Sequence, residues 1–500
     1  MVSSLKALWI ALVCAIGTIN ALPQEKRTTP RHAQVLILGG GITGVIAART
    51  FKQAGINNIL VIEGREELGG RMRSTEFGGL TVELGANWIQ GTQTGNGPIN
   101  PILTLARKHH LKTQFNNFDD LTTYDDTGLV DFIDAANQAD TDFNNFNIVA
   151  GPRVANAQVD MTASAGYRLS GAKILDKQAA AAQYLNFDFE YAQTPQESSW
   201  LAASWNNNFT FVAEQGGFSE ANLMCIDQRG YKTIVQGEAE DFLTSDEILL
   251  NAVVQNITYS STGVSVTLTN GTVITGDYAL CTFSVGVLQH DDVTFIPPLP
   301  AFKQEAISSI AMATYTKIFL QFPTKFWFDT EMGLYADPER GRYPIWQSLD
   351  HPKFLPGSRI LFVTVTSDFS QRVEAFTDEQ VQAEVMDVVH NMFPNIEVPE
   401  PNAFLFPRWH SDPLYRGSYS NWPPSFFSGH HENLKLNVDR LYFAGEATSV
   451  KFFGFLHGAY FEGLNMANII ISCIEGNSTC NTALTNGGEV TNSVPFDLNN

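Results

Sequence analysis

The chain has 500 residues, 44% of them hydrophobic, which is enough for the cores of two large domains and excludes a disordered protein. Its 31 basic and 52 acidic residues give a formal net charge of −21. Such a balance argues against nucleic acid as a partner and would attract small cations. The alternative interpretation is that the acidity maintains solubility.

The first 21 residues have the pattern of a cleaved secretory signal. Lys6 precedes a short apolar run from Ala7 to Ile16, and small or polar residues follow. The run is too short to favour a membrane span, although an N-terminal anchor is the alternative. Residues 22–30 contain the basic pair Lys26–Arg27 and form a candidate pro-segment. We therefore expect a secreted protein without a stable membrane span.

A strand–turn–helix–strand unit follows. The apolar run Val35 to Leu38 leads into a Gly-x-Gly-x-x-Gly turn. In such a turn Gly39 allows the tight bend, Gly41 lets the backbone approach a pyrophosphate, and Gly44 lets the helix pack on the strand. A second apolar run ends in Glu63, whose carboxylate can accept hydrogen bonds from ribose hydroxyls. The unit predicts a dinucleotide site, with the diphosphate at the helix N-terminus.

Two further segments favour one cofactor. Glu67 to Met72 form a second glycine turn that carries Arg71. This turn resembles the GGR segment that follows the same unit in FAD-containing amine oxidases. The sequence ELGANW, which contains Asn87 and Trp88, resembles a second fingerprint of that family and lies against the flavin there. The resemblance implies FAD as the cofactor.

Residues from about 100 to 220 are rich in Asp, Asn, Gln and Ala, and we expect them to build a substrate-binding domain. Farther on, Ile248 to Val254 and Gly263 to Leu268 are predicted strands, with a turn at Asn270–Gly271. The resemblance places Val253 at the adenine end of FAD.

Lys317 interrupts an aromatic and β-branched run, Tyr315 to Phe322. Judged from the residues, either its stem snorkels to solvent or its ammonium is held inside among polar partners. The run resembles the strand of plant polyamine oxidases whose lysine approaches the flavin N5 through a water. The resemblance implies the same catalytic role for Lys317.

The C-terminal motifs also resemble the family. The segment Gly417 to Pro423 includes Trp422, and a later strand-like run ends in Gly445 and Glu446. The resemblance implies that all three residues bind the cofactor, with Glu446 near its ribityl or pyrophosphate region. The helix that follows should point its N-terminus at the isoalloxazine.

The resemblance further implies a substrate channel. Tyr419 and Phe455 match aromatic positions beside the flavin face, and Glu190 matches a carboxylate that binds a distal ammonium. Gln90 stands where the plant enzymes have glutamate, and Phe455 replaces a tyrosine. Ser418 stands where monoamine oxidases have a flavin-linked cysteine, which implies noncovalent FAD.

The cysteines and glycosylation sequons fit an oxidising compartment. Cys473 and Cys480 are close enough in sequence to close a small loop, whereas Cys225 and Cys281 can be ordinary buried thiols. No cysteine or histidine pattern suggests a metal. Sequons usable after secretion are at Asn208, Asn256, Asn270 and Asn477.

The resemblance implies an α/β fold in which a Rossmann-like FAD domain, of the p-hydroxybenzoate hydroxylase-like amine oxidase type, is interleaved with an α+β substrate-binding domain. The predicted division is a signal peptide (1–21), a pro-segment (22–30), FAD-binding segments (33–112, 223–295 and 433–473), substrate-binding segments (113–222 and 296–432) and a polar tail (476–500).

The chain is most similar to secreted plant polyamine oxidases. The leading hypothesis is an FAD-dependent polyamine oxidase that oxidises spermine or spermidine beside the secondary amine. Hydride would pass to the flavin N5, and hydrolysis of the imine would give an aminoaldehyde and an amine. O₂ would then reoxidise FAD and give H₂O₂. A monoamine or L-amino-acid oxidase is the alternative enzyme. A noncatalytic polyamine-binding flavoprotein is the alternative of another class.

Overall fold

The computed structural model describes residues 31–156 and 158–476. Its strands are β1 (Arg31–Leu38), β2 (Ile59–Ile62), β3 (Ser74–Phe77), β4 (Leu80–Glu83), β5 (Trp88–Gln90), β6 (Thr113–Asn116), β7 (Leu121–Asp125), β8 (Gly128–Leu129), β9 (Asn222–Cys225), β10 (Ile248–Leu249), β11 (Val254–Ser260), β12 (Gly263–Leu268), β13 (Val273–Cys281), β14 (Thr294–Ile296), β15 (Ala311–Ala313), β16 (Tyr315–Gln321), β17 (Met332–Ala336), β18 (Ile345–Ser348), β19 (Ile360–Thr366), β20 (Ala403–Leu405), β21 (Tyr419–Asn421) and β22 (Leu441–Phe443).

The α-helices are α1 (Ile42–Gln53), α2 (Pro101–Lys108), α3 (Ile133–Ala155), α4 (Ala163–Leu169), α5 (Lys177–Asn186), α6 (Asp188–Tyr191), α7 (Trp200–Phe211), α8 (Thr233–Phe242), α9 (Val285–Leu288), α10 (Ala301–Ser309), α11 (Ser367–Glu374), α12 (Asp378–Met392), α13 (Ser428–Lys435) and α14 (Leu456–Ile474). Short 3₁₀ helices span Ala213–Gln215, Ser245–Glu247 and Glu446–Thr448.

One sheet is organised around β1. Its strand order is β10-β2-β1-β13-β12-β11-β14, and β22 also pairs with β13. β1 runs parallel to β2 and β13, and β13 runs parallel to β22. Residues 35–38 are fully buried, as expected for an apolar strand covered on both faces. The carboxyl ends of β1 and β2 therefore meet at one sheet edge, as the predicted dinucleotide unit requires.

Glycines allow α1 to pack closely both on the turn after β1 and on α14. A Cβ on Gly44 would lie 2.1 Å from the carbonyl oxygen of Gly39, and one on Gly463 would lie 2.4 Å from that of Thr43. Gly39 has φ +115°, a conformation that favours glycine. These residues permit the close approach of turn, strand and helices, so the predicted roles of Gly39 and Gly44 agree with the local geometry.

The predicted single strand from Ile248 to Val254 is wrong. β10 ends at Leu249 and pairs with β2, whereas β11 begins at Val254 and pairs with β12 and β14. Asn251 between them has φ 53°, which breaks an extended strand. The intervening backbone bonds back to the first sheet, because Asn251 N donates to Arg65 O and Ala252 N donates to Glu63 O, each at 2.8 Å.

A second large sheet has the order β20-β16-β19-β18-β17-β7-β8. It draws β7 and β8 from the first predicted substrate-binding segment and its other strands from the second. Helices α3 to α7 form most of residues 133–211, and Phe146, Tyr167, Phe187 and Trp200 pack together in their core. β6, also predicted in a substrate-binding segment, pairs with β9. The domain boundaries themselves stay a prediction.

The cysteines, sequons and terminal segments that suggest secretion lie partly inside and partly outside the described residues. Cys225 and Cys281 are buried free thiols, whereas Cys480 lies outside the described residues, so its loop with Cys473 stays a prediction. Asn270 is exposed in the β12–β13 turn, and Asn208 and Asn256 are half-buried. Asn477, the signal, the pro-segment and nearly all of the polar tail also lie outside the described residues. No helix within residues 31–156 and 158–476 combines the length and apolar character needed to cross a membrane.

Candidate active site

A cavity of about 680 Å³ opens at the carboxyl ends of β1 and β2 and extends to the start of β16 in the second sheet. Its lining joins segments that are distant in sequence. Most of the predicted site residues line it: Gly39, Gly41, Glu63, Arg71, Asn87, Trp88, Gln90, Glu190, Val253, Tyr419, Gly445, Glu446 and Phe455. Lys317, Gly44 and Trp422 are not among the lining residues.

Glu63 is fixed at the glycine-turn end of the cavity. Its Oε2 accepts a hydrogen bond from Gly40 N at 2.7 Å, and its Oε1 accepts one from Arg65 N at 2.9 Å. Burial raises the pKa of Glu63, and these backbone donors oppose that shift. A carboxylate held in this way at the end of β2 can also accept hydroxyl hydrogen bonds, which suits a ribose. Val253 lies in the same wall.

The two glycine turns face each other across a narrow gap. A Cβ built on Gly41 would have only Gly70 Cα nearby, at 3.8 Å, and one on Gly70 would lie 3.1 Å from Gly41 Cα. A side chain on either glycine would therefore fill the gap. Glycine at both positions lets the two turns approach closely at the N-terminus of α1, where the helix dipole favours a bound diphosphate.

Arg71 and Glu446 join the second glycine turn to the C-terminal motifs. Arg71 Nη1 donates to Glu446 Oε1 at 2.8 Å and to Ser418 O at 2.9 Å. Glu446 Oε2 accepts from Ser420 Oγ at 2.6 Å and from Gly454 N at 2.8 Å. The carboxylate is thus held at the wall of the cavity by a cation, a hydroxyl and a backbone amide.

The middle of the cavity is suited to a polar heterocycle. Asn87 is buried, and its Oδ1 accepts no hydrogen bond from the described residues. Such an acceptor in the cavity wall calls for a donor from a bound group. Phe455, Leu456 and Ala459 bring the N-terminus of α14 to the cavity, and its direction towards the isoalloxazine stays a prediction. The residues present therefore fit FAD, which Gly41, Glu63, Arg71 and Glu446 would hold.

Lys317 is held inside the protein, so the snorkelling alternative is wrong. The residue is 1% exposed. Its Nζ donates to Glu83 O at 3.0 Å and to Gly85 O at 2.7 Å, and it lies 5.0 Å from the centroid of the Trp88 ring. Since Gly85 and Trp88 line the cavity, Lys317 lies directly behind its wall.

Two predicted cofactor residues lie outside the lining of the cavity. Gly44 lies beneath the first turn, where its small size lets α1 approach β1. Trp422 packs in the layer behind the cavity, with its ring stacked on Phe453 at 5.2 Å and perpendicular to Trp205 at 5.3 Å. A direct cofactor contact of Trp422 stays a prediction.

The other end of the cavity has a carboxylate between amide and aromatic side chains. Gln90 Nε2 donates to Glu190 Oε1 at 3.3 Å, and Tyr419 Oη donates to the Glu190 carbonyl oxygen at 2.8 Å. Burial raises the pKa of Glu190 to about 7. Phe455 stacks on His457 with ring centroids 4.9 Å apart. The arrangement can bind an extended amine whose ammonium reaches Glu190.

The structure adds site residues that the sequence interpretation missed. Tyr315 and Phe189 line the cavity, with ring centroids 5.5 Å apart, and Tyr315 lies 6.1 Å from Tyr419. The period-two alternation of a strand puts Tyr315 on the same side of β16 as Lys317, which could have identified it. No local sequence pattern indicates that Phe189 would join this wall.

A polar cluster elsewhere has the residue types of a metal site. His109, Glu238 and Asp241 lie close enough to offer ligand atoms to one ion. However, Lys108 contacts both carboxylates, at 2.7 Å from Asp241, and Arg49 lies 2.9 Å from Glu238. Cations thus already pair these carboxylates, and the cluster is an ion-pair network that joins α1, α2 and α8.

Residues 42–471 match the family described as flavin containing amine oxidoreductase. The chain belongs to this family. This amine oxidoreductase is 36% identical over 492 residues to polyamine oxidase 6 of Oryza sativa subsp. japonica, covering 93% of the chain and 96% of that protein. It is also 36% identical over 467 residues to polyamine oxidase 1 of Zea mays, covering 88% and 91%.

A solved structure of putrescine oxidase bound to putrescine has the same fold. Its TM-score is 0.71 at 16% identity, and the match covers 88% of this chain and 99% of that one. The predicted fold class and family are therefore confirmed, and the protein is an FAD-dependent amine oxidoreductase. When bound, the flavin supplies a two-electron acceptor for a carbon beside an amine nitrogen.

Proposed function

We propose that this amine oxidoreductase is a secreted polyamine oxidase that acts on spermine and spermidine with O₂ as the electron acceptor and noncovalent FAD. The observation that carries the proposal is the placement of Glu190 in the cavity, next to Gln90 and the aromatic side chains of Tyr315 and Tyr419. Similarity to the polyamine oxidases of rice and maize supports the same substrate class.

In the balanced reaction, the amine, O₂ and water give an aminoaldehyde, a shorter amine and H₂O₂. The C–N bond next to the secondary nitrogen is oxidised to an imine, and water cleaves it. O₂ takes up two electrons and two protons. Resemblance to the plant enzymes favours cleavage on the side that releases 1,3-diaminopropane.

Each substrate nitrogen needs a different environment in this reaction. The reacting nitrogen must be neutral, because its lone pair takes part in the oxidation, whereas distal amines stay charged. The aromatic walls contributed by Tyr419 and Phe455 desolvate the reacting centre, and the Glu190 carboxylate pairs with a distal ammonium. Gln90 is an uncharged amide, so the Glu190 carboxylate supplies the negative charge that pairs with an ammonium at this end of the cavity.

The lining disfavours an L-amino-acid oxidase. A substrate carboxylate requires a cation that is free to bind it. Among the described lining residues the only cationic side chains are Arg65 and Arg71, which contact Asp412 and Glu446, respectively. Robust turnover of simple amino acids or monoamines, without turnover of polyamines, would nevertheless establish the alternative enzyme class.

Secretion is proposed from the N-terminal sequence, which combines Lys6, the apolar run Ala7 to Ile16 and the small residues that follow. The exposed Asn270 is the sequon whose position best suits a glycan. Expression with the native N-terminus, followed by N-terminal sequencing of protein from the medium, tests this point. Protein retained in the cell would contradict it.

The deciding experiment is mass spectrometry of products after incubation with spermidine, spermine and N1-acetylspermine in air, with H₂O₂ measured in parallel. Diaminopropane with peroxide would support the proposal as stated, whereas putrescine or 3-aminopropanal would reassign the cleaved bond. Tight spermine binding without flavin bleaching under anaerobic conditions would identify a noncatalytic binding protein. Purified protein without flavin absorbance would contradict the cofactor assignment.

A further inference from the structure

A buried acid lies beside Lys317, behind the cavity wall. Glu83 ends β4 and is 6% exposed. Its Oε1 accepts a hydrogen bond from Tyr231 N at 2.7 Å, and Cys225 Sγ lies 3.9 Å from the same oxygen. Its Oε2 is buried and has no hydrogen-bond partner among the described residues. A carboxylate with an unpaired buried oxygen is costly unless a nearby positive charge compensates it.

Lys317 is the cation that can compensate this charge. Its Nζ donates to the backbone carbonyls of Glu83 and Gly85, so the lysine is fixed to the same short segment that carries the acid. Those two bonds leave the third N–H of an ammonium for another acceptor. The segment continues through Ala86 and Asn87 to Trp88, all of which line the cavity.

The charge states of the two residues depend on each other. Burial raises the pKa of Glu83, and the charge of Lys317 opposes this rise. Burial lowers the pKa of Lys317, and the charge of Glu83 opposes this fall. Other titratable groups that face the pair are Cys225 on β9, Tyr231 before α8 and Lys232 at the start of α8. Glu83 supplies the largest favourable charge interaction for the Lys317 ammonium.

We propose that Glu83 is a positioning residue for the oxidation. From behind the cavity wall, its carboxylate stabilises the charged form of Lys317. Glu83 contacts neither cavity nor substrate, and it acts through the charge of Lys317. The importance of this charge for turnover rests on the proposed function, because Lys317 has its catalytic role there. The coupling of the two residues does not depend on the identity of the amine.

The first test follows the visible absorption spectrum of the oxidised holoenzyme against pH without substrate. We expect a spectral transition that is absent in Lys317→Met and that moves to lower pH by about 1 to 3 units in Glu83→Gln, because the ammonium loses its nearby anion. Glu83→Asp keeps the charge and should restore much of the shift. An unmoved transition in Glu83→Gln, or none assignable to Lys317, would overturn the proposal.

A matched control is Glu374→Gln. Glu374 is another buried acid, which accepts hydrogen bonds from His410 N and Ser411 N at 3.0 Å and does not contact Lys317. It should leave the spectral transition in place. If wild-type protein turns over no amine but the transition still moves in Glu83→Gln, the proposed function fails while the coupling stands. Normal turnover with an unmoved transition in Glu83→Gln would leave the proposed function standing and overturn the coupling of Glu83 to Lys317.

A second test measures unfolding and does not depend on activity. Glu83→Gln, Lys317→Met and the double variant form a cycle with the wild type. Each single variant leaves one buried charge without the opposite charge that offsets its desolvation, so the double variant should lose less stability than the sum of the two losses. If Glu83→Gln alone does not fold, the double variant should recover folding. A double variant that is additive, or equally unfolded, would overturn the proposal.

Discussion

Lys317 is buried behind the cavity wall, unlike a lysine on the surface or in a substrate channel. Its buried Nζ is held by the carbonyls of Glu83 and Gly85, directly behind the cavity wall and outside its lining. We expect Lys317→Met to slow flavin reduction or reoxidation about tenfold or more while FAD stays bound. Stopped-flow measurement of both half-reactions tests this prediction, and unchanged rates in both would remove Lys317 from the mechanism.

Glu190 predicts a pH dependence of substrate binding. Because burial raises its pKa to about 7, the side chain loses its charge as pH falls through about 7. The KM for spermidine should therefore rise as the medium is acidified through that range. In Glu190→Gln the KM should be about tenfold higher or more at neutral pH, and this ionisation should vanish. The exposed Glu214 provides the control Glu214→Gln, and an unchanged profile in Glu190→Gln would contradict the prediction.

Gln90 allows a test of how a second negative charge beside Glu190 affects amine binding. In Gln90→Glu a second carboxylate would stand where the amide now lies 3.3 Å from Glu190 Oε1. We expect the KM for spermine to fall about tenfold relative to that for N1-acetylspermine, which carries fewer charges. Gln90→Met, of similar length and without charge, should not produce this preference. Equal changes for both substrates in Gln90→Glu would contradict the prediction.

The sequence located single residues correctly where their motif is one contiguous stretch of the chain. Gly39, Gly41 and Glu63 belong to one short unit whose chemistry fixes its geometry, so they could be located from sequence. Glu83 stands in the recognised ELGANW motif, yet its proximity to Lys317 depends on the register between distant segments. The role of Phe189 likewise depends on how α6 packs, which no residue pattern specifies.

Among the elements, continuous buried runs were predictable and interrupted ones were not. β1, α1 and β2 follow from apolar patterning and glycine placement. The run from Ile248 to Val254 has the composition of a strand, but hydrogen bonds of residues 251 and 252 to the end of β2 divide it. Tertiary contacts therefore overrode a local preference, and the division places Val253 in the cavity wall.

The contact between α1 and α14 predicts the effect of one added methyl group. In Gly463→Ala the new Cβ would lie 2.4 Å from Thr43 O, and the helices would have to separate. We expect a loss of about 1–3 kcal/mol in the free energy of unfolding, together with weaker FAD binding, because the N-termini of both helices border the cavity. Chemical denaturation and FAD titration measure the two effects.

Gly151 in α3 offers the matched control. A Cβ there would have no neighbour within 4 Å outside the adjacent residues, and the gain in helix propensity is opposed by the contact of that Cβ with Pro152. Gly151→Ala should therefore change the free energy of unfolding by less than about 1 kcal/mol and leave FAD binding unchanged. Equal stability of Gly463→Ala and the wild type would show that α1 and α14 can adjust without cost, and it would contradict the importance assigned to their close packing.

At the scale of the whole molecule, the cavity brings together segments from near residue 39 to near residue 459. The glycine turns, the 252–254 segment, the Gly-Glu turn and the start of α14 contribute separate walls. A ligand that touches all of them can bind only when the whole chain is folded. The cofactor should therefore be a major contributor to the stability of the native state.

Removal of FAD is predicted to lower the thermal unfolding temperature of this protein. A ligand that binds only the folded state adds about 2.7 kcal/mol when its free concentration is a hundred times its Kd. Adding FAD back to the apoprotein should raise the unfolding temperature in proportion to the logarithm of its concentration. Riboflavin lacks the diphosphate and adenosine that FAD would place against the glycine turns and Glu63, so it should stabilise much less. Equal stabilisation by riboflavin and FAD would show that the dinucleotide end, with Glu63 and the paired glycine turns, contributes little to binding, and the assignment of that end of the cavity would have to change.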